Sequence, residues 1–251
     1  MSEALKERVR RFWEEEPCGA KTATADPGTK AFYAEVERAR YVLEPFIPAF
    51  AGFEQWRGRD VLEVGVGLGT DFVGFVRAGA NATGIDLTQA AVDAVTRRLE
   101  LEGLSAELRV ADAEQLPFED ASFDLVWSYG VLHHTPDTRR TLQEVRRVLR
   151  PDGEARVMLY ARHSWFALGA WGRWGLLQAR PWRSIADVLA RHLESPGTKA
   201  YTEDEVRELF SDFSSVEIRR FVTAYDRRVA WKLADLTGPR FGWFIAITAR
   251  P

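Results

Sequence analysis

The sequence predicts an open, mostly parallel α/β sheet with helices on both faces. Three observations lead there. Short apolar runs, rich in β-branched and aromatic residues, alternate with segments of helical period between residues 60 and 160. The first run, Val61-Leu62-Glu63-Val64, ends in Gly65-Val66-Gly67-Leu68-Gly69. Alternate residues of that turn lack a Cβ, so the backbone can bend tightly and admit a ligand closely. The second run closes on Asp86, 17 residues past Gly69, near the distance at which a carboxylate after the second strand meets the ribose hydroxyls of a bound nucleotide. A nucleoside cofactor is the expected ligand.

The elements follow in order. Leu5, Val9 and Phe12, with Trp13 beside them, predict an amphipathic helix over residues 3–16. Residues 17–28 are rich in Gly, Pro, Thr and Asp and read as a loop. A second helix runs from Lys30 to about Leu43, with Phe32, Val36 and Tyr41 among its apolar positions, and Pro45 and Pro48 break it. Strands are expected at 60–64, 82–86, 106–110, 123–129 and 154–160, with helices at 70–78, 88–102 and 137–149. Past the fifth strand the regular pattern stops, and residues 162–200 hold Trp165, Phe166, Trp171, Trp174 and Trp182 among glycines and arginines. Thr202, with Glu205 three residues on, has capping-box chemistry and opens a helix to about Phe210. Val216-Glu217-Ile218 begins a sixth strand and residues 243–249 form a seventh, with a second insertion carrying Trp231 between them. The expected organisation is a helical cap (1–54), a cofactor-binding core (55–161), a lid and acceptor-site insertion (162–201) and a C-terminal completion of the core (202–251).

At 251 residues the chain accommodates one large α/β domain with additions, and 46% hydrophobic content suffices for its core. A net charge of −3 argues against a general nucleic-acid binder. The single cysteine, Cys18, leaves no internal disulfide. Residues 1–8 are too charged for a signal peptide, and no apolar run reaches the ~18 residues of a membrane span. A cytoplasmic monomer or homodimer without integral membrane association is expected.

The glycine spacing bears on which cofactor. A dinucleotide fingerprint needs its third glycine at the sixth position, which from Gly65 is Thr70; here that glycine comes one residue early, at Gly69. The pattern E-x-G-x-G-x-G, with Glu63 inside the strand, resembles motif I of the class I S-adenosylmethionine-dependent methyltransferases, and later segments resemble the same family. Val110 to Phe118 is similar to its x-x-D-A-x-x-L-P-F segment, Ser122 to His134 to its central strand and following loop, and Arg147 to Glu154 to its helix, tight turn and fifth strand. The resemblance covers residues 55–160 closely and the C-terminal third loosely. It implies a Rossmann-like, seven-stranded, mostly parallel sheet that ends in an antiparallel hairpin.

The cofactor contacts come with the resemblance. Glu63, Gly65, Gly67 and Gly69 are expected against the methionine and ribose part, Asp86 on both ribose hydroxyls, and Leu87 on the adenine. Asp112 would receive the adenine amino group, since a carboxylate accepts and an amine donates. The Ala113 N–H would meet a ring nitrogen, and Ser128 is counted with these contacts. Taken singly, a G-x-G-x-G is often only a turn, and Asp86 or Asp112 could cap a helix; five ordered segments with matching chemistry favour the site.

Methyl transfer from a sulfonium is an in-line displacement, so the protein's main task is to align the groups and exclude water. A base is needed when the acceptor must lose a proton, and His133, His134 and Tyr33 are the candidates. A V-L-H-H segment accompanies unrelated substrates in the family, so the histidines equally read as pocket wall. Arg11, Arg40 and Arg162 could hold a carboxylate or phosphate, which suits a neutral or anionic metabolite with an apolar body, methylated on oxygen, carbon or an uncharged amine. The N-terminal segment, the aromatic helix and the tryptophan-rich insertion are expected to form a lid. Contact of residues 165–182 with a membrane surface ranks lower, because Gly169, Gly172 and Gly175 weaken the helix it needs. No metal is expected. The glycine spacing and the lack of a Tyr-x-x-x-Lys pair disfavour an NAD(P) oxidoreductase. A protein or RNA substrate is disfavoured by the lack of a recognition domain and of an Asn/Asp-Pro-Pro-aromatic motif. The expected function is methylation of a small, partly apolar metabolite by S-adenosylmethionine, with S-adenosylhomocysteine as product. The alternative is a catalytically silent S-adenosylmethionine-binding scaffold or sensor.

Overall fold

Seven strands run through the chain, and in the computed structural model, which describes residues 2–251, they join in one sheet. They are β1 (Asp60–Val64), β2 (Asn81–Asp86), β3 (Glu107–Val110), β4 (Phe123–Tyr129), β5 (Leu149–Tyr160), β6 (Ser215–Phe221) and β7 (Phe244–Arg250). The sheet order is β3-β2-β1-β4-β5-β7-β6. The first five strands pair in parallel, and β7 runs antiparallel between β5 and β6. This is the Rossmann-like sheet with a terminal hairpin that the sequence predicted. The order reverses between β1 and β4, which opens a crevice at their carboxyl ends. β5 starts five residues earlier than expected. Leu149 already pairs with Phe123, and the register shifts across the turn before Glu154 pairs with Leu125.

Helices α1 (Ser2–Glu15), α2 (Lys30–Leu43) and α3 (Ile47–Ala51) precede the sheet. Helices α4 (Thr70–Arg77), α5 (Gln89–Glu102) and α6 (Thr138–Val148) connect its parallel strands. Both sheet faces are covered, so the central strands are largely apolar rather than alternating, with Glu63 and Ser128 among the buried exceptions. Leu62, Val126 and Val157 pack with Leu142 and Val145 of α6 on one face. Val61, Leu125, Trp127 and Met158 pack with Ile47 of α3 and Phe72 and Phe75 of α4 on the other.

The stretch after β5 is more regular than its sequence suggests. It forms α7 (Trp165–Trp174) and α8 (Ile185–His192), and after α9 (Glu203–Leu209) the second insertion forms α10 (Ala224–Ala230) and α11 (Lys232–Thr237). Thr202 and Glu205 make the expected capping box at α9. Gly169 does not break α7. A Cβ there would press into Val229 of α10, so the glycine allows the two helices to approach closely. What joins the insertions is Asp226, fully buried on α10. Its Oδ2 accepts from Thr223 N, Thr223 Oγ1 and Trp243 N at 2.9 Å each, and its Oδ1 accepts from Phe166 N at 3.1 Å. One carboxylate thus ties α7, α10 and the start of β7 together above the sheet. Asp226→Ala leaves these donors buried without an acceptor, at about 1–3 kcal/mol for each that finds no substitute. We expect denaturant unfolding to report a loss of at least about 3 kcal/mol; a loss below about 1 kcal/mol would contradict this role.

Candidate cofactor and acceptor site

A cavity of about 520 Å³ lies at the carboxyl ends of the strands where the order reverses. One half is built from the three sequence segments that follow β1, β2 and β3. Gly65, at φ 84°, packs against Val131 so closely that a Cβ would fall inside that side chain. Gly67, at φ 52°, faces open space, and its N–H donates to Asp86 Oδ2 at 3.1 Å. Asp86 Oδ1 accepts from Thr88 N at 3.0 Å and Thr88 Oγ1 at 2.8 Å. Burial pushes the Asp86 pKa upward, against the pull of these hydrogen bonds. Three of its roughly four acceptor positions are therefore filled, and accepting two ribose hydroxyls requires the Thr88 hydroxyl to rotate away. Leu87, Asp112 and Ala113 line the same half, as expected. Gly69 is set back from the cavity: it starts α4 at φ 72° and abuts Val95.

Helix α1 closes this half from above. Lys6 Nζ donates to Asp112 Oδ2 at 2.6 Å and pairs with Glu114 Oε2 at 2.8 Å. Burial alone would lower the Lys6 pKa, but the two carboxylates outweigh it and raise the value. An adenine amino group at Asp112 must share this carboxylate with Lys6. Glu14, near the other end of α1, accepts from Ala90 N at 3.1 Å at the start of α5.

Between the halves lies a buried charge cluster. Glu63 is 4% exposed, and its Oε2 has no partner among the described residues. Burial, then the neighbouring Asp71, push its pKa well above the ordinary range. Arg40 Nη2 donates to Asp71 Oδ2 at 2.6 Å and its guanidinium sits 4.9 Å over the Tyr129 ring. Sequence reasoning offered Arg40 for the acceptor and missed its place beside Glu63 in the cavity wall.

The other half has aromatic walls, including Trp13, Tyr129, Phe166, Tyr225, Trp243 and Phe244. Its polar groups are mostly acids. Glu44 is 7% exposed, its Oε2 has no partner among the described residues, and burial raises its pKa. Glu194 accepts from Tyr160 Oη at 3.0 Å and lies 3.3 Å from His134 Nε2. His134 Nδ1 is within 2.8 Å of Ser195 Oγ and 3.0 Å of Thr198 Oγ1, and Trp13 packs edge-on against its ring. Glu194 sits at φ 40°, a strained conformation for a non-glycine residue. No motif surrounds it, and it comes to the site through α8, so sequence reasoning passed it over.

Several expected site residues lie elsewhere. Tyr33 faces α5, where its hydroxyl donates to Ala94 O at 2.7 Å and burial raises its pKa, and it does not reach the cavity. Ser128 is fully buried and donates to Val64 O at 3.1 Å, tying β4 to β1 from the sheet face opposite Tyr129. His133 is fully buried, packs at a tilt against Tyr160 with ring centroids 3.9 Å apart and is absent from the cavity wall. Burial first, then His134 and Lys199, depress its pKa well below the usual value, so it is neutral. Arg11 is exposed beside Glu7, and Arg162 is held by Ala200 O and Glu205, so neither reaches the acceptor half. His133, His134 and Glu194 bring ligand-type atoms within 4.8 Å of one another, the one grouping of that kind among the described residues.

Comparison with known proteins bears on the same residues. A family model described as "Methyltransferase domain" matches residues 62–157. The phthiotriol/phenolphthiotriol dimycocerosates methyltransferase of Mycobacterium tuberculosis is 44% identical over 98 residues, 38% of this chain and 36% of that protein. The chain thus matches about a third of that relative's length. An uncharacterized protein of Mycobacterium tuberculosis is 32% identical over 186 residues, 74% of this chain and 64% of its own. Among solved structures, geranyl diphosphate C-methyltransferase from Streptomyces coelicolor superposes with a TM-score of 0.63 at 16% identity, covering 98% of this chain and 97% of that one; this is a likeness of fold. With the matched domain laid over the glycine turn, Asp86 and Asp112, residues 62–157 form a methyltransferase domain of the S-adenosylmethionine-dependent kind, whose cofactor is S-adenosylmethionine.

Proposed function

We propose that this protein methylates a small, partly apolar acceptor that presents a hydroxyl or amine, and that Glu194, backed by His134, receives the acceptor's proton. The observation that carries this reading is the continuity of the cavity: the glycine turn and the aromatic chamber line one and the same cavity. A scaffold or sensor would need the cofactor half alone, so the aromatic chamber favours an enzyme.

Asp86 holds the ribose, Leu87 packs on the adenine, and Asp112 and the Ala113 N–H meet its polar edge. The unpartnered Glu63 oxygen takes the cofactor's α-ammonium, and the guanidinium edge of Arg40 that Asp71 leaves free takes the α-carboxylate. This sets the sulfonium methyl toward the aromatic chamber. α1, α7 and α10 form the lid that keeps water out. The acceptor's X–H points at Glu194, whose carboxylate accepts from Tyr160 and lies 3.3 Å from His134 Nε2. Bound S-adenosylmethionine would supply its methyl group to the acceptor's electron pair as the proton passes to Glu194, with the electrons of the carbon–sulfur bond staying on sulfur in neutral S-adenosylhomocysteine. Among the described residues the cations at the cavity are already paired, Lys6 with Asp112 and Glu114, Lys21 with Glu16 and Arg40 with Asp71, which disfavours an anionic acceptor, whereas Glu44 and Glu194 suit a hydrogen-bond donor.

Calorimetry tests the cofactor half. Asp86→Ala should weaken S-adenosylhomocysteine binding at least about tenfold, since hydrogen bonds to a charged acceptor are worth ~1.5–3 kcal/mol; equal affinity would mean that Asp86 does not hold the ribose. Turnover tests the proton acceptor. Glu194→Gln should lower kcat by about two orders of magnitude or more, with cofactor affinity unchanged. Tyr33→Phe should leave kcat alone, and the reverse pattern would refute the assignment.

Stability against pH tests Glu44. A carboxylate whose folded pKa is raised favours the folded state at low pH and loses that contribution as pH rises through the folded value. Glu44→Gln should therefore melt above wild type at pH 8, with the gap closing towards pH 4. A gap that widens on acidification would show that Glu44 is paired when folded.

A further inference from the structure

Eleven large apolar side chains are exposed among the described residues, and nine of them lie in the two insertions. Leu177, Trp182, Trp231 and Leu236 are each more than 70% exposed. The insertions form one packed unit, α7 against α8 and α10, and α10 against α11. Trp165 Nε1 donates to Thr237 Oγ1 at 2.9 Å, which fastens the base of α7 to α11. Trp231 joins α10 to α11 at φ 44°, a backbone region in which an L residue is strained, and its ring is exposed. An apolar surface of this kind, on a chain that exposes only Val42 and Val110 among its large apolar side chains elsewhere in the described residues, marks a contact with something.

Charge indicates what that contact is. Arg173, Arg180, Arg227, Arg228, Lys232 and Arg240 are exposed on the same unit. Between residues 165–183 and 224–241 the acids are Asp226, which is buried, and Asp235, which pairs with Arg227 at 2.9 Å. Six exposed cations against one exposed acid leave +5 on this surface, while the whole chain carries −3. Lys232 lies 4.8 Å over Trp231, and Arg173 5.1 Å over Trp174. Aromatic and aliphatic bodies with cationic heads match the boundary between acyl chains and anionic headgroups. A second copy of the chain fits poorly, because a twofold contact would set this positive surface against itself.

We propose that the α7–α8 and α10–α11 unit docks the protein peripherally on an anionic lipid surface. Among the described residues no helix is long and apolar enough to cross a membrane, so docking is interfacial. Phe166 of α7 and Tyr225 of α10 line the cavity, and docking brings its acceptor half to the lipid boundary. On the reading of the cavity as an acceptor chamber, the acceptor is then an amphiphile drawn from the membrane; the docking itself does not depend on that reading.

Co-sedimentation with vesicles tests the proposal. The full chain should partition onto phosphatidylcholine vesicles containing about one third phosphatidylglycerol at least about tenfold more than onto pure phosphatidylcholine, and high salt should weaken the binding. Trp231→Ser with Leu236→Ser, and separately Arg228→Glu with Lys232→Glu, should each reduce binding severalfold. All four positions are exposed, and S-adenosylhomocysteine affinity serves as the folding control. Absence of a preference for the anionic vesicles, wild-type binding by both variants, or a solution dimer that these substitutions dissociate would each overturn the proposal. Vesicle binding by an unsubstituted protein that binds no S-adenosylhomocysteine would instead overturn the methyl-transfer reading alone.

Discussion

The hydrogen bond from Gly67 N–H to Asp86 joins the ends of β1 and β2 beside the crevice where the strand order reverses between β1 and β4. The turn after β1 must lie flat enough for that amide to reach the carboxylate. Gly65 makes this possible by admitting Val131 where a side chain would stand, and Gly67 by adopting positive φ towards open space. Thr88 fixes the carboxylate from the other side and also starts α5 by accepting from Ala91 N. The cofactor half of the cavity, the entry into α4 and the start of α5 therefore share one small set of polar contacts.

Around that set the protein concentrates acids. Glu63, Asp86, Asp112, Glu44 and Glu194 all line the cavity, while Arg40 is largely neutralised by Asp71. Burial raises the pKa of Glu63, Asp86 and Glu44, which is an electrostatic cost to the empty protein. A sulfonium cofactor relieves it, and the neutral thioether left after methyl transfer relieves it less. The same acids disfavour an anionic acceptor. Lys6 of α1 pairs with Asp112 and Glu114, so this helix is held over the cavity by charges that line it.

The sheet and the cofactor half were legible in the sequence because local chemistry dictates them. Apolar runs named the strands within one residue or so at most ends, the glycine spacing named the turn, and Thr202 with Glu205 named a helix start. What sequence position alone does not convey is side-chain direction and long-range pairing. Ser128 was grouped with the cofactor contacts because of its strand, yet alternation turns it away from the cavity and presents Tyr129 instead. Tyr33 lies on a helix near the site with its hydroxyl committed to Ala94. Glu194 and Asp226 depend on contacts with residues 60 or more positions away, His134 and Phe166, and neither lies in a motif. The insertions read as irregular because their helices are short and rest on one another rather than on a repeating apolar face.

The central claim is that cofactor and acceptor meet in one cavity, with the reacting methyl directed at the aromatic chamber. A crystal structure with S-adenosylhomocysteine bound tests this most directly. The account predicts the ribose at Asp86, the amino-acid end between Glu63 and Arg40, and the sulfur facing the chamber that Glu194 and Tyr160 line. A ligand whose sulfur faces away from that chamber, or whose ribose lies elsewhere than Asp86, would contradict it.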